Sequence, residues 1–315
     1  MSFDFDAAVT TPFRMRPGLR KLGADAMHLT ALPPGSRHQR EKLAVLSSFP
    51  GLALLVRDGF DEGAALHKLC ATAAAEHPEV WAWDGDEGHA LQLGVAVCQG
   101  RITSFKVGSF GLGDEVSRCL LTLDARWRLA ALLSLTFAED FAIINAGDGT
   151  VPWLAVTLPS FWAPEEKIGR HFTEVHAPVA DNAMLIKAAD ALMHLVTGPE
   201  RWERFVWTIT PHSRLHAHPA HVDPMRWRDS DEHTLPARAW WRSERQTFIA
   251  VTGAAQAVFT IAVEVQPLAG ILLDAQRART LFDAVSTMSP AVLEYRGLHT
   301  VREPLLRWLS RCGQG

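Results

Sequence analysis

The sequence predicts an α+β fold in which an antiparallel sheet is flanked by helices, and three observations lead there. Apolar residues recur at helical spacing both before and after runs that alternate with the period of two expected of strands. Two long strand-like runs, Trp240–Val251 and Ala257–Val265, are joined by Thr252–Gln256 alone, a Gly-containing loop of hairpin length. No internal repeat and no low-complexity linker divides the chain, so helices and antiparallel strands share one body.

Each element has a local reason. Residues 1–37 are rich in Pro, Arg and Gly and read as an extended lead-in with little regular structure. A short helix is expected over Gln39–Ser47. Asp61 can cap a helix running to about Glu76, with Leu66, Leu69, Cys70 and Ala73 on one side and Pro78 after its end. Ala90–Val97 and Arg101–Phe105 read as strands around Gln99-Gly100. Asp124 begins a stronger helix carrying Trp127, Leu129, Leu133 and Phe137, expected to reach Glu139-Asp140 and to leave Asp140 as a surface charge at its C-terminus. Gly147-Asp148-Gly149 is a turn, and Val151–Thr157 is a strand. Asn182–Val196 is expected as one continuous helix, with a stripe of Leu185, Ile186, Ala189, Leu192, Met193 and Val196 and a stop at Gly198-Pro199. Phe205–Ile209 is a strand. Ala275–Met288 and Pro304–Arg311 close the chain as helices.

The hairpin has an unusual centre. Its second strand alternates cleanly, with Phe259, Ile261, Val263 and Val265 on one face. Its first strand places Glu244 and Gln246 on one face and Arg245 and Thr247 on the other, so an ionic group faces whatever covers the sheet. A buried charge costs several kcal/mol without a partner, so such a group requires a partner or a ligand. The plain alternative is an edge strand wet on both faces at its start.

Composition narrows the function. The 315 residues carry a net charge of −4, which offers no electrostatic footprint for nucleic acid. No run approaches the ~20 apolar residues of a membrane span. The acidic Met1–Asp6 lacks the basic and apolar regions of a signal peptide, so a soluble, cytoplasmic protein is expected. The four Cys, at 70, 98, 119 and 312, are too far apart for metal pairs or an iron–sulfur run and suit a reducing compartment. Eleven Trp against one Tyr suit a wide apolar cavity or, equally, a Trp-rich core. The Gly-rich 108–113 segment has the wrong order for a dinucleotide loop. His212, His216, His218 and His221 crowd a loop marked by Pro211, Pro219 and Pro224; they have the residue type for Zn or Ni, or they are an exposed His-rich loop.

An ordered set of short motifs points further. Pro12–Leu19 and Glu41-Lys42-Leu43 come first. Glu139-Asp140-Phe141, Lys167-Ile168-Gly169-Arg170 and Val175-His176-Ala177-Pro178-Val179 follow, then Arg201-Trp202. Glu244-Arg245-Gln246-Thr247, with Ala257-Val258-Phe259-Thr260-Ile261 after it, and Tyr295-Arg296-Gly297-Leu298 complete it. The set resembles the heme-dependent oxidative N-demethylase family, from about Pro12 to Trp308. The resemblance implies a PAS-like sheet with heme b buried against it, in a single heme-binding α+β domain over 38–315. It implies oxidative removal of a methyl group from a small secondary amine with dioxygen.

Within that resemblance the residues take roles. His176 is the expected iron ligand: Pro178 holds Ala177 extended and stiffens the segment that aims the imidazole. His171 is its near competitor. Arg245 and Arg170 are expected at the heme propionates, since a guanidinium grips a carboxylate with two bonds; the alternative for Arg245 is a salt bridge with Glu264 or Glu244. Glu244 is the candidate for the substrate ammonium, and Gln246 belongs to the same cofactor-facing stretch. No CxxCH is present, so heme would be held non-covalently. With no flavin, nicotinamide or iron–sulfur signature, electrons must come from a separate reductase. A heme-binding sensor or carrier without turnover is the alternative function that a PAS-like fold supports.

Overall fold

β-Branched and aromatic residues dominate Trp240–Val251 and Gln256–Pro267, and these two strands form the longest ladder, from Trp240 opposite Pro267 to Val251 opposite Gln256. The computed structural model describes residues 3–223 and 227–314. Its strands are β1 (Arg20–Lys21), β2 (Leu54–Val56), β3 (Trp81–Trp83), β4 (Glu87–Ala90), β5 (Val95–Cys98), β6 (Arg101–Ser104), β7 (Glu139–Asn145), β8 (Thr150–Ala155), β9 (Trp202–Thr210), β10 (Trp240–Val251) and β11 (Gln256–Pro267). A seven-stranded sheet runs β1-β9-β10-β11-β7-β8-β2, with antiparallel neighbours, and a small sheet runs β3-β4-β5-β6. With helices before, between and after the strands, the class is α+β as the sequence predicts.

Three expected elements change shape. The strand expected over Ala90–Val97 is two strands, because residues 91–94 turn. Gly94 sits at φ +71, and a Cβ there would lie 2.3 Å from the Lys106 carbonyl oxygen, so only glycine fits. The helix expected from Asp124 to Asp140 stops at Thr136, where Phe137 becomes extended; Glu139 and Asp140 instead open β7 and pair with Ala262 and Ile261 of β11. Asp140 is therefore no surface charge. It is 1% exposed. It accepts from Thr157 Oγ1 and the Leu158 amide at 2.6 Å each, and its Oδ1 lies 3.2 Å from the ammonium of the fully buried Lys42. The helix expected over Asn182–Val196 is two, Ala183–Lys187 and Ala189–Thr197, broken where Ala188 leaves helical geometry. Leu185, Ala189, Met193 and Val196 remain buried.

In an antiparallel ladder directly opposed residues share a face. The first face of the sheet thus carries Arg204, Gln246, Ile261 and Asp140 in one row, with Val206, Glu244 and Val263 in the next. The second face carries Glu203, Thr247 and Thr260 in one row, with Phe205, Arg245 and Ala262 in the next. Along this second face Ile249, Val251 and Phe141 join the largest core, while Trp207 and Trp241 join a second core under the closing helices Ala275–Ser286 and Arg302–Cys312. The lead-in reaches this face too. Arg20 and Lys21 pair with β9, and Thr30 donates its amide to Glu139. Opposite lie the helix Ala189–Thr197, through Met193 and Val196 against Phe248 and Ile144, and the loops around Leu158 and Leu215.

Candidate functional site

The first face is built differently from an ordinary core. β9 turns Trp202, Arg204, Val206 and Thr208 to it, and all four are only half-buried. Trp202 Nε1, Arg204 Nε and Thr208 Oγ1 are nonetheless shut off from solvent without a hydrogen-bond partner. Buried polar atoms are paired in the great majority of cases. Orphaned indole nitrogens also occur in the packed core, at Trp81, Trp153 and Trp241, so the distinctive feature of this strand is a guanidinium, Arg204, without a hydrogen bond among the described residues. Beside them, on β10, Gln246 Nε2 donates to Glu244 at 2.6 Å, and Glu244 is 8% exposed. Burial pushes the Arg204 guanidinium below its ordinary pKa, and the Glu244 carboxylate pushes it back. The one Tyr of the chain, Tyr295, lies near enough to feel both charges; burial raises its pKa first, and Glu244 adds to that.

His176 ends the short helix Phe172–His176, and Ala177 after it is helical (φ −56, ψ −38), not extended as Pro178 leads one to expect; the turn continues into the helices that cover this face. The His176 Nδ1 lies 2.8 Å from the Phe172 carbonyl. A carbonyl can only accept, so Nδ1 carries the proton and Nε2 keeps its lone pair, the state in which an imidazole binds a metal. The Phe172 ring packs against it at 4.1 Å between centroids. Burial pushes the pKa of His176 down to about 4, and Arg204 and Lys167 push the same way. Its neutral form therefore persists to acid pH. His171 is occupied otherwise: it caps that helix, its Nδ1 accepting from the Thr173 amide at 3.3 Å.

The other expected residues lie elsewhere. Arg245 is on the second face, where its Nε donates to Glu203 at 3.0 Å and its Nη2 to the Met27 carbonyl at 2.8 Å. The partner is Glu203, neither Glu264 nor Glu244. Arg170 is exposed and sits 4.0 Å from Glu174 at the surface. The structure thus brings together Glu244, Gln246 and Arg204, with His176 within reach of the Arg204 charge, and leaves Arg245 and Arg170 outside. Arg204 escapes sequence reading because the strand is expected to begin at Phe205; the alternation Trp202, Arg204, Val206, Thr208 is its only signal.

Arg242 frames the site. It is 1% exposed and gives hydrogen bonds to Ser160 Oγ and to the carbonyls of Leu158, Pro159, Arg214 and Leu215. Glu41 accepts from the Leu215 and His216 amides at 2.9 and 3.1 Å. The two loops are pinned together from the sheet and from the helix Arg37–Ser48. In the His-rich loop His216 Nε2 meets His221 Nδ1 at 2.9 Å and His218 meets Glu165 at 3.1 Å. Among the described residues no three His, Cys, Asp or Glu are grouped to hold a metal ion, and Pro224 lies outside those residues.

A heme asks a protein for one anchored nitrogen ligand, an apolar wall and donors for its carboxylates. His176, the Phe172–Phe248–Phe259 wall and the orphaned donors of β9 fit that description. The family described as haem-dependent oxidative N-demethylase, alpha subunit-like, matches residues 105–306. The chain belongs to that family. The match contains the whole of β7 to β11, His176 and every residue of the polar row. No curated protein matches the chain. Among the described residues no helix is long and apolar enough to cross a membrane.

Proposed function

We propose that this chain binds heme b against the first face of its sheet, a PAS-like arrangement, and removes a methyl group from a small secondary amine by oxidation. The observation that carries the reading is the set of orphaned polar atoms on β9 beneath a histidine whose Nδ1 is already anchored. Membership of a haem-dependent oxidative family supports it. The domain is 38–315, with the lead-in, over its described residues 3–37, as a strap across the second face.

When bound, the heme would supply reductive activation of dioxygen. The remaining roles fall to this chain's own residues. His176 would hold the iron through Nε2, with the Phe172 carbonyl fixing the ring's tautomer and orientation. Glu244, kept in place by Gln246, would hold the substrate ammonium by charge complementarity. The loops pinned by Arg242 would keep bulk water away, which strengthens every electrostatic contact within. Oxidation at the methyl carbon gives a carbinolamine, whose collapse releases formaldehyde and the demethylated amine. The overall change consumes one dioxygen, two electrons and two protons and forms one water. The electrons would come from a separate reductase, since the sequence carries no flavin, nicotinamide or iron–sulfur signature; a family described as alpha subunit-like suits that division.

Formaldehyde release from dimethylamine tests this. The heme-loaded protein with dioxygen and an added electron-transfer partner should release it, and the protein with NADPH alone should not. A heme-loaded protein that releases none with any donor or small N-methyl amine is a sensor or carrier, and the catalytic reading falls.

A further inference from the structure

The sheet places one arginine where fold stability gives it nothing to do. Arg204 sits directly opposite Gln246, in the row that continues to Ile261 and Asp140. Its Nε is buried with no hydrogen-bond partner. Other shielded arginines are engaged. Arg242 makes five hydrogen bonds, and Arg245 is paired with Glu203. Arg296 also has an orphaned Nε, but its guanidinium lies 4.7 and 4.9 Å from the Phe13 and Trp207 rings and donates to the Trp207 carbonyl. Glu244, whose charge acts on Arg204, has its hydrogen bond with Gln246 instead.

A guanidinium whose Nε is shut off from water without an acceptor is a cost to the fold. A planar fork of donors is also the group best matched to a carboxylate, which it takes with two parallel bonds. Resting on the reading of this face as the heme and amine site, we propose that Arg204 is its carboxylate-binding residue. The carboxylate has two available sources: a propionate of the heme, or the carboxylate of an N-methyl amino acid whose ammonium meets Glu244. In either case Arg204 and Glu244 are a matched pair of opposite charges for a ligand, spaced by one strand step, and Arg245 has no part in it.

The test titrates the apo protein with hemin and with hemin dimethyl ester, which lacks both carboxylates. It then measures the shift of the Soret band on adding N-methylglycine or dimethylamine, for wild type, Arg204→Met and Arg204→Lys. Apo melting is recorded for each. Arg204→Met is expected to melt close to the wild-type temperature, because it removes a guanidinium that no protein group hydrogen-bonds, while Glu244 keeps its bond from Gln246. If the carboxylate is a propionate, Arg204→Met binds hemin about tenfold or more weakly, Arg204→Lys falls between, and the diester binds wild type and Arg204→Met alike. If it belongs to the substrate, hemin affinity is unchanged, and the response to N-methylglycine is lost while that to dimethylamine survives. The proposal is overturned if Arg204→Met matches wild type in all of these, or if both variants melt well below it. A wild type that takes up no hemin overturns the functional reading alone; calorimetry of N-methylglycine on the apo protein then decides Arg204, with binding that Arg204→Met abolishes supporting it and its absence overturning it.

Discussion

The two faces of the β9–β10–β11 ladder carry similar residues to opposite ends. On the second face Glu203 collects two guanidinia, Arg245 at 3.0 Å and Arg20 at 2.9 Å, while Thr247 and Thr260 join their hydroxyls at 2.7 Å. One strand step away, on the first face, the Arg204 guanidinium makes no hydrogen bond; Trp202 and Thr208 there, like Trp241 and Glu139 on the second face, also keep a buried polar atom unmatched. Charge on one face closes the fold over the lead-in; on the other, Arg242 and Asp140 are satisfied by protein groups, and Arg204 and Glu244 are proposed to meet a ligand. Polar residues in a strand thus say little until their partners are counted.

The largest expected effect breaks the closed face. Glu203→Gln leaves the shielded Arg245 short of its carboxylate, while the exposed Arg20 keeps Asp4, and should cost about 1.5–3 kcal/mol of unfolding free energy, read by denaturant titration. Heme affinity of the folded fraction should not change. A stability loss below ~1 kcal/mol would show that the ion pairs are solvated and the two faces less different than described.

A smaller effect concerns the strap. Glu76 accepts from the His28 and Leu29 amides and from His28 Nδ1, the last at 2.7 Å. Burial raises its pKa, but the His28 side chain and the two amides together bring it below the ordinary carboxylate value. A depressed folded pKa means that the unfolded chain binds the proton more readily. The stabilisation is therefore complete above the ordinary glutamate value of about 4.3 and is lost as pH falls through the lower folded value. Glu76→Gln should remove that part of the acid dependence and cost about 1–2 kcal/mol at neutral pH. An unchanged pH profile of apo melting would remove Glu76 from the account.

On the open face, Glu244→Gln keeps size and hydrogen-bonding capacity and removes the charge. It should raise the amine KM several-fold to about tenfold, keep the Soret band and leave apo melting within about 1 kcal/mol. Equal KM values would assign the ammonium to another group.

Much of this was legible in residues alone. The hairpin's ends, the turn at 147–149, the closing helices and the split of Glu244 from Arg245 follow from period and turn chemistry. Asp140 did not, because its helix was expected to run on; pairing with β11 overrides local propensity there, and the buried Lys42 comes from nearly a hundred residues away. The roles of Arg245 and Arg204 were equally hidden. Which of two arginines on neighbouring strands is satisfied depends on Glu203 and Met27, and no spacing within either strand reports them.

The most direct measurement pairs hemin titration, followed at the Soret band, with apo melting for wild type, Glu203→Gln and His176→Ala. Wild type should take up one heme per chain. His176→Ala should lose the native Soret band while melting close to wild type as apo protein, and Glu203→Gln should melt lower while its folded fraction still takes up heme with the native spectrum. A colourless wild type, or a His176→Ala variant with the native spectrum, would contradict the assignment of the open face to the cofactor.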